Sequence, residues 1–120
     1  ETVLLVEDEA TLRALTARVM RDLGYEVLEA ANGAQAIEIA LAQPHPLQLL
    51  LTDIVMPGMR GNVLAERLTA LLPGLKVLFM SAYTGSSLDD QDWLGARAAF
   101  LQKPFSPDLL AHKLREVLDA

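Results

Sequence analysis

The sequence contains no cysteine and no long apolar run. Without cysteine there can be no disulfide, no thiolate nucleophile and no Cys-ligated zinc, which fits a reducing compartment. No apolar stretch approaches the roughly 20 residues that a membrane-spanning helix needs, and no charged segment followed by an apolar one marks a signal peptide. We therefore expect a soluble, cytoplasmic domain that does not insert into a membrane.

Basic and aromatic residues are scarce as well. The 10 Lys and Arg stand against 16 Asp and Glu, and the net charge is -6. Nucleic acids and anionic membranes select clustered basic side chains, so direct binding to either is not expected. Aromatics make up 5% of a chain that is 52% hydrophobic. Aliphatic side chains must therefore fill the core, as in a sheet covered on both faces.

The length and the first residue bear on domain organisation. A chain of 120 residues is the size of one ordinary domain and can bury a core without metal or disulfide staples. It begins at Glu1, without Met, and enters an apolar segment almost at once. These features predict that residues 1–120 form a single domain excised from a longer protein.

Short apolar segments alternate along the chain with segments of helical period, and both kinds are bounded by Gly, Pro or acids. The predicted strands are residues 3–6, 27–30, 47–52, 76–81 and 99–102. The predicted helical stripes are Leu12, Leu15, Thr16, Val19, Met20 and Leu23; Ile37, Ala40 and Leu41; Leu64, Leu68, Leu71 and Leu72; and Leu110, Leu114, Val117 and Leu118.

Two of the helices differ in how clearly the sequence marks them. The last helix has a strong start, because Ser106, Pro107 and Asp108 supply a cap, a first-turn proline and an early acid. Residues 84–98 have a poor helical period and predict only a short or mobile helix. Five strand and helix pairs in alternation predict a parallel sheet with helices on both faces.

Polar residues stand at the carboxyl ends of four predicted strands. An open parallel α/β sheet binds its ligands outside these ends, so we expect the residues to face one edge. Each also has an ordinary structural explanation: the acids after the first strand could cap the first helix, Ser81 could be a strand-end hydroxyl, and Lys103 a solvated charge. The set consists of Glu7, Asp8, Asp53, Ser81 and Lys103.

Acids that converge at one edge need either raised pKa values or a cation. Carboxylates about 4 Å apart repel by roughly 4 kcal/mol at an effective dielectric of 20, so Glu7, Asp8 and Asp53 predict raised pKa values or a bound metal. Oxygen ligands favour Mg²⁺, with Mn²⁺ as a substitute, and the backbone carbonyl of Val55 is a further candidate ligand. With Asp53 as nucleophile and Ser81 and Lys103 donating to phosphoryl oxygens, the set predicts phosphoryl transfer.

Four short motifs together resemble the receiver domain of two-component response regulators, and the resemblance covers the whole chain. The motifs are Glu7-Asp8, the segment DIVMPGMRG that starts at Asp53, Ser81-Ala82, and Lys103-Pro104-Phe105. The resemblance implies a flavodoxin-like three-layer (βα)5 sandwich with a five-stranded parallel sheet of order 2-1-3-4-5. It also implies a cis peptide bond between Lys103 and Pro104.

The resemblance implies a function too. A phosphohistidine on a histidine kinase or a histidine phosphotransfer domain would donate its phosphoryl group to Asp53 in a Mg²⁺-dependent phosphorelay. The domain would catalyse its own phosphorylation and dephosphorylation without being an enzyme in the usual sense. Movement of Ser81 toward the phosphoryl group, with an inward turn of Phe100, would switch the output surface. For Phe100 a plain core role is an equal alternative.

Two positions point to the lifetime of the phosphorylated form. Val55 and Tyr83 lie two residues beyond Asp53 and Ser81, and both are bulkier or less polar than many members of the family carry there. They predict slow autodephosphorylation.

The amino-acid sequence around the motifs looks most like that of receivers at the C-terminus of hybrid sensor histidine kinases. In such a protein the kinase core would be an intramolecular partner, and the whole protein can be anchored in a membrane. The alternative is a stand-alone or N-terminal receiver.

Two other functions remain open. A Mg²⁺-dependent aspartyl phosphohydrolase of the haloacid dehalogenase type also uses a strand-end aspartate, but Val55 stands where its acid/base Asp should be. A non-phosphorylated docking module is the other, and the intact set of polar residues speaks against it. His45 and His112 are predicted to be surface residues, and Trp93 a candidate partner contact.

Overall fold

The apolar segments of the sequence form a five-stranded, fully parallel sheet. The computed structural model of the chain describes residues 1–81 and 99–120. The strand order is β2-β1-β3-β4-β5, which confirms the predicted order and fold class. The strands are β1 (Thr2–Val6), β2 (Glu26–Ala30), β3 (Leu49–Asp53), β4 (Lys76–Ser81) and β5 (Ala99–Gln102).

Helices cover both faces of the sheet, because the central strands are apolar on both sides. One core cluster joins the sheet to α1 and α4, and a second joins it to α2 and α3. None of the described helices is long and apolar enough to cross a membrane. The helices of the described part are α1 (Ala10–Asp22), α2 (Gly33–Ala42), α3 (Gly61–Leu71) and α4 (Pro107–Leu118). The helix predicted over residues 84–98 lies outside the described residues.

The side chains of Asn32 and Ser106 cap the starts of α2 and α4. Asn32 accepts a hydrogen bond from the Gln35 amide at 2.8 Å, and the Gln35 side chain accepts one from the Ala31 amide at 2.6 Å. This reciprocal pair satisfies two amides at the start of α2. The Ser106 hydroxyl accepts from the Leu109 amide at 3.1 Å, and α4 begins at Pro107 as predicted.

The structure corrects the predicted bounds of three strands and part of the helical stripes. β1 and β2 each begin one residue earlier than predicted. β3 begins two residues later than predicted and includes Asp53, because Asp53 pairs with Met80 of β4. Small inward residues such as Ala17 and Ala36 fill the contact between helix and sheet. Positions at the margins of the predicted apolar stripes therefore face solvent, and the exposed leucines of these stripes are Leu15, Leu23, Leu41 and Leu71.

Candidate functional site

Three strands deliver charged side chains to one edge of the sheet. Glu7 directly follows β1, Asp53 is the last residue of β3, and Lys103 directly follows β5. The Lys103 amide donates to the Ser81 carbonyl at 2.8 Å and so extends the pairing of β4 with β5. The Lys103–Pro104 peptide bond is cis, as the family resemblance implied. The carboxyl edge of the sheet thus gathers residues that are far apart in the chain.

Lys103 bridges two buried carboxylates. Its Nζ lies 2.6 Å from Asp53 Oδ1 and 2.9 Å from Glu7 Oε2. Glu7 is only 2% exposed and Asp53 6%, so neither charge is well hydrated. Buried carboxylates that share a single ammonium group retain an excess of negative charge. The site is therefore electrostatically incomplete with Lys103 alone.

Asp8 adds a third, exposed carboxylate to this pair. One oxygen from each of Glu7, Asp8 and Asp53 lies within 4.8 Å of the others. At that separation the two buried carboxylates repel by about 3.5 kcal/mol at an effective dielectric of 20. A set of carboxylate oxygens with one side open to solvent is what a hard divalent cation such as Mg²⁺ requires. The residues present fit that ion.

The third acid of the Glu7-Asp8-Glu9 run has a different role. Glu9 caps α1, and its carboxylate accepts hydrogen bonds from the amides of Thr11 at 3.1 Å and Leu12 at 2.7 Å. The helix dipole and these amides hold that charge away from the acid cluster. The capping explanation left open by the sequence thus applies to Glu9, and Glu7 and Asp8 are left for the cluster.

Burial dominates the ionisation of Asp53. Loss of hydration raises the pKa of its carboxyl group, and the hydrogen bond and positive charge of Lys103 only partly offset that effect. The ionised carboxylate is therefore less favourable in the folded chain than in the unfolded one. A further cation beside Asp53 would relieve this cost.

The loop after Asp53 requires glycine at two positions, for different reasons. Gly58 has a φ of +83°, a conformation that side chains disfavour. Gly61 starts α3 directly against the phosphoacceptor candidate, since a Cβ atom there would lie 1.8 Å from the backbone oxygen of Asp53. Its amide donates to the Ile54 carbonyl at 2.8 Å. The sequence alone does not show how closely Gly61 approaches Asp53.

Three of the remaining predicted site residues, Ser81, Val55 and Phe100, lie in the described part of the chain. Ser81 ends β4 and is half-buried, and the Val55 side chain is 66% exposed. Phe100 is half-buried, and its ring packs against Phe79 with the centroids 5.7 Å apart. Tyr83 lies outside the described residues.

The two histidines and the tryptophan lie apart from the acid cluster or outside the described residues. His45 and His112 are both exposed, as predicted, and His112 lies 3.6 Å from Glu116. Trp93 lies outside the described residues.

The fold and the acid cluster define a receiver of the kind found in two-component signalling. Residues 3–115 match the family described as "Response regulator receiver domain". The chain therefore belongs to the response regulator receiver domain family.

The chain spans a small part of one relative and nearly all of another. It is 37% identical over 118 residues to the sensor kinase CckA of Brucella abortus, covering 98% of this chain but 12% of the kinase. It is 36% identical over 118 residues to the response regulator receiver protein CpdR of the same organism, covering 98% of this chain and 97% of that protein. The chain thus resembles both a segment of a kinase and a whole receiver protein.

A solved structure of another receiver has a similar fold. The response regulator protein TrrA of Thermotoga maritima, solved in complex with Mg²⁺-BeF, has a TM-score of 0.83 and 26% identity to this chain. The match covers 98% of both chains. The likeness therefore extends over the whole chain.

Proposed function

We propose that the domain is the phosphoacceptor of a phosphorelay and that Asp53 accepts a phosphoryl group in a Mg²⁺-dependent reaction. The observation that carries this proposal is the convergence of three carboxylates and Lys103 at one edge of the sheet. Glu7, Asp8, Asp53 and the carbonyl of Val55 would hold the ion. Mg²⁺, or Mn²⁺ in its place, would neutralise charge that builds up on the phosphoryl oxygens.

The proposed phosphoryl transfer needs little beyond alignment of the donor with Asp53. A carboxylate oxygen of Asp53 forms a bond to phosphorus while the bond from phosphorus to the donor's histidine nitrogen breaks, and the histidine leaves with that electron pair. Lys103 and the Ser81 hydroxyl donate hydrogen bonds to the transferred oxygens. Lys103 already lies 2.6 Å from Asp53, so a small movement brings its Nζ to a phosphoryl group on that side chain. Water later hydrolyses the acyl phosphate.

Removal of the metal tests the proposal directly. Incubation with acetyl phosphate and Mg²⁺ is expected to give phosphoprotein, detected by intact-protein mass spectrometry, and an excess of EDTA is expected to prevent it. Mn²⁺ should restore the product. Equal labelling with and without a divalent ion would refute the metal-dependent reaction. Steady turnover of an aryl phosphate monoester would instead favour the phosphohydrolase.

The exposed Val55 side chain supports slow loss of the phosphoryl group. It is 66% exposed two residues beyond Asp53, where it offers no polar group to orient an attacking water. Val55→Asn adds an amide of similar size and is expected to shorten the lifetime of the phosphorylated form, measured after removal of the phosphodonor. A wild-type lifetime of only seconds, unchanged in Val55→Asn, would contradict this role. The predicted contribution of Tyr83 is tested in the same way with Tyr83→Ala.

The chemistry of the site and the relatives support a histidine-bearing phosphodonor. The donor would be a histidine kinase or a histidine phosphotransfer domain, and the similarity to the sensor kinase CckA supports a place for residues 1–120 in a hybrid kinase, beside an intramolecular kinase core. Ser81 and Phe100 would carry the conformational output. Fusion of this chain to a kinase core in its coding sequence would establish the context, and a stand-alone reading frame would contradict it.

A further inference from the structure

Arg13 does not belong to the acid cluster, but it contacts the backbone next to it. It lies on α1, and its Nη1 donates a hydrogen bond to the backbone carbonyl of Glu7 at 2.8 Å. That carbonyl belongs to the peptide unit that joins Glu7 to Asp8. This peptide unit joins the Cα atoms that carry two of the three clustered carboxylates.

The other contacts of Glu7 involve its amide and its side chain, not this carbonyl. The Glu7 amide donates to the Ala30 carbonyl at 3.1 Å and so anchors the preceding peptide unit to β2. The Glu7 side chain contacts Lys103 at 2.9 Å and the Glu9 amide at 3.4 Å. Of the contacts around Glu7 described here, the Arg13 hydrogen bond is the one that acts on the carbonyl of the Glu7–Asp8 peptide.

Arg13 is itself held from the opposite side. Its Nε lies 3.7 Å from Glu29 Oε1, and Arg21 binds the other oxygen of the same carboxylate at 3.0 Å. Arg21 also donates to a backbone carbonyl, that of Val27 in β2, at 2.9 Å. The two arginines therefore make the same kinds of contact from the same helix. They differ in the backbone that they contact: Arg13 contacts the peptide between Glu7 and Asp8, and Arg21 contacts β2.

We propose that Arg13 is a positioning residue for the metal site: it fixes the Glu7–Asp8 peptide so that both carboxylates converge on the ion beside Asp53. This inference rests on the proposed binding of Mg²⁺. If Arg13 acted only through its positive charge, its removal would favour a cation nearby and tighten the binding of Mg²⁺. Loss of positioning has the opposite sign, because partners that orient metal ligands contribute to affinity through geometry.

The test compares two matched variants, Arg13→Met and Arg21→Met. Each replaces the guanidinium group with an unbranched apolar side chain, and each loses one contact to Glu29 and one to a backbone carbonyl. The dissociation constant of Mg²⁺ is measured by isothermal titration calorimetry on the metal-free chain. Arg13→Met is expected to raise it by about 10-fold, as loss of a ligand-orienting partner typically does. Arg21→Met should stay close to wild type, although both variants lose thermal stability.

A second measurement needs no metal. In the metal-free protein, the ¹⁵N shift of the Asp8 amide reports the hydrogen bond to the preceding carbonyl, and it should move in Arg13→Met but not in Arg21→Met. Arg13→Lys keeps the charge with a shorter reach, so it should also weaken Mg²⁺ binding and serves as the test if Arg13→Met does not fold.

Each outcome has a distinct meaning. Unchanged or tighter Mg²⁺ binding in the Arg13 variants, or equal weakening in Arg21→Met, would overturn the positioning role. Absence of Mg²⁺ binding in the wild type would overturn the proposed function itself.

Discussion

Asp53→Asn is expected to abolish phosphorylation by acetyl phosphate, with no phosphoprotein detectable by intact-protein mass spectrometry under conditions that label the wild type. The substitution replaces the attacking carboxylate with an amide of the same shape, and an amide oxygen is too weak a nucleophile to form the acyl phosphate. Asp22→Asn makes the same chemical change at the exposed end of α1 and should label like the wild type. Undiminished labelling of Asp53→Asn would place the phosphoryl group on another residue.

Unfolding would not explain that loss, because the variant should be at least as stable as the wild type. Burial raises the pKa of the Asp53 carboxyl group, so the folded chain holds this proton to higher pH than the unfolded chain does. The stability that this group contributes is complete at acid pH and is lost as the pH rises through its folded-state pKa. Denaturant unfolding in EDTA should therefore show the advantage of Asp53→Asn growing as the pH rises to neutrality. An advantage that shrinks over that range would contradict the raised pKa.

Gly61→Ala is expected to destabilise the fold by about 3 kcal/mol, at the upper end of the range for overpacking. A Cβ atom at this position would lie 1.8 Å from the backbone oxygen of Asp53 and 2.8 Å from its carbonyl carbon. Backbone atoms at the end of β3 cannot yield as a flexible side chain would, so α3 must shift away from the site. For a chain of this size the melting temperature should fall by roughly 10 °C, and labelling of Asp53 should decrease in the fraction that remains folded.

Gly74→Ala is the matched control for this prediction. No atom lies within 4 Å of a Cβ atom built at Gly74, and its φ is not in the left-handed region. Gly74→Ala should therefore leave the melting temperature unchanged or raise it slightly, because alanine restricts the unfolded chain. Equal effects of the two substitutions would show that the packing against Asp53 is not the cause.

Sequence patterns predicted the sheet well because they depend on local composition. The bounds of β4 and β5 are as predicted, and the polar residues at the strand ends meet because parallel strands share one carboxyl edge. The error at β3 has a non-local cause, since only the partner strand shows that Asp53 still pairs with Met80. The exposed Leu15 and Leu41 were misassigned because a helical stripe does not reveal how wide a face the neighbouring sheet covers.

The roles of individual side chains in the site were harder to predict than their positions. Three consecutive acids looked alike in the sequence, and only the start of α1 distinguishes the capping Glu9 from Glu7 and Asp8. The contact of Arg13 with the Glu7 carbonyl had no sequence signal, because an arginine on an amphipathic helix normally faces solvent. Such contacts depend on the angle at which α1 crosses the sheet.

The contact between Lys103 and Glu7 joins residues that are 96 positions apart. Contacts of such high sequence separation form late in folding, because loop-closure entropy opposes them until the intervening chain is ordered. A nascent or partly folded chain can therefore carry Asp53 and the acid pair without the amine that offsets their charge. Under the proposed function, the charge balance beside Asp53 would therefore be complete only in the finished domain.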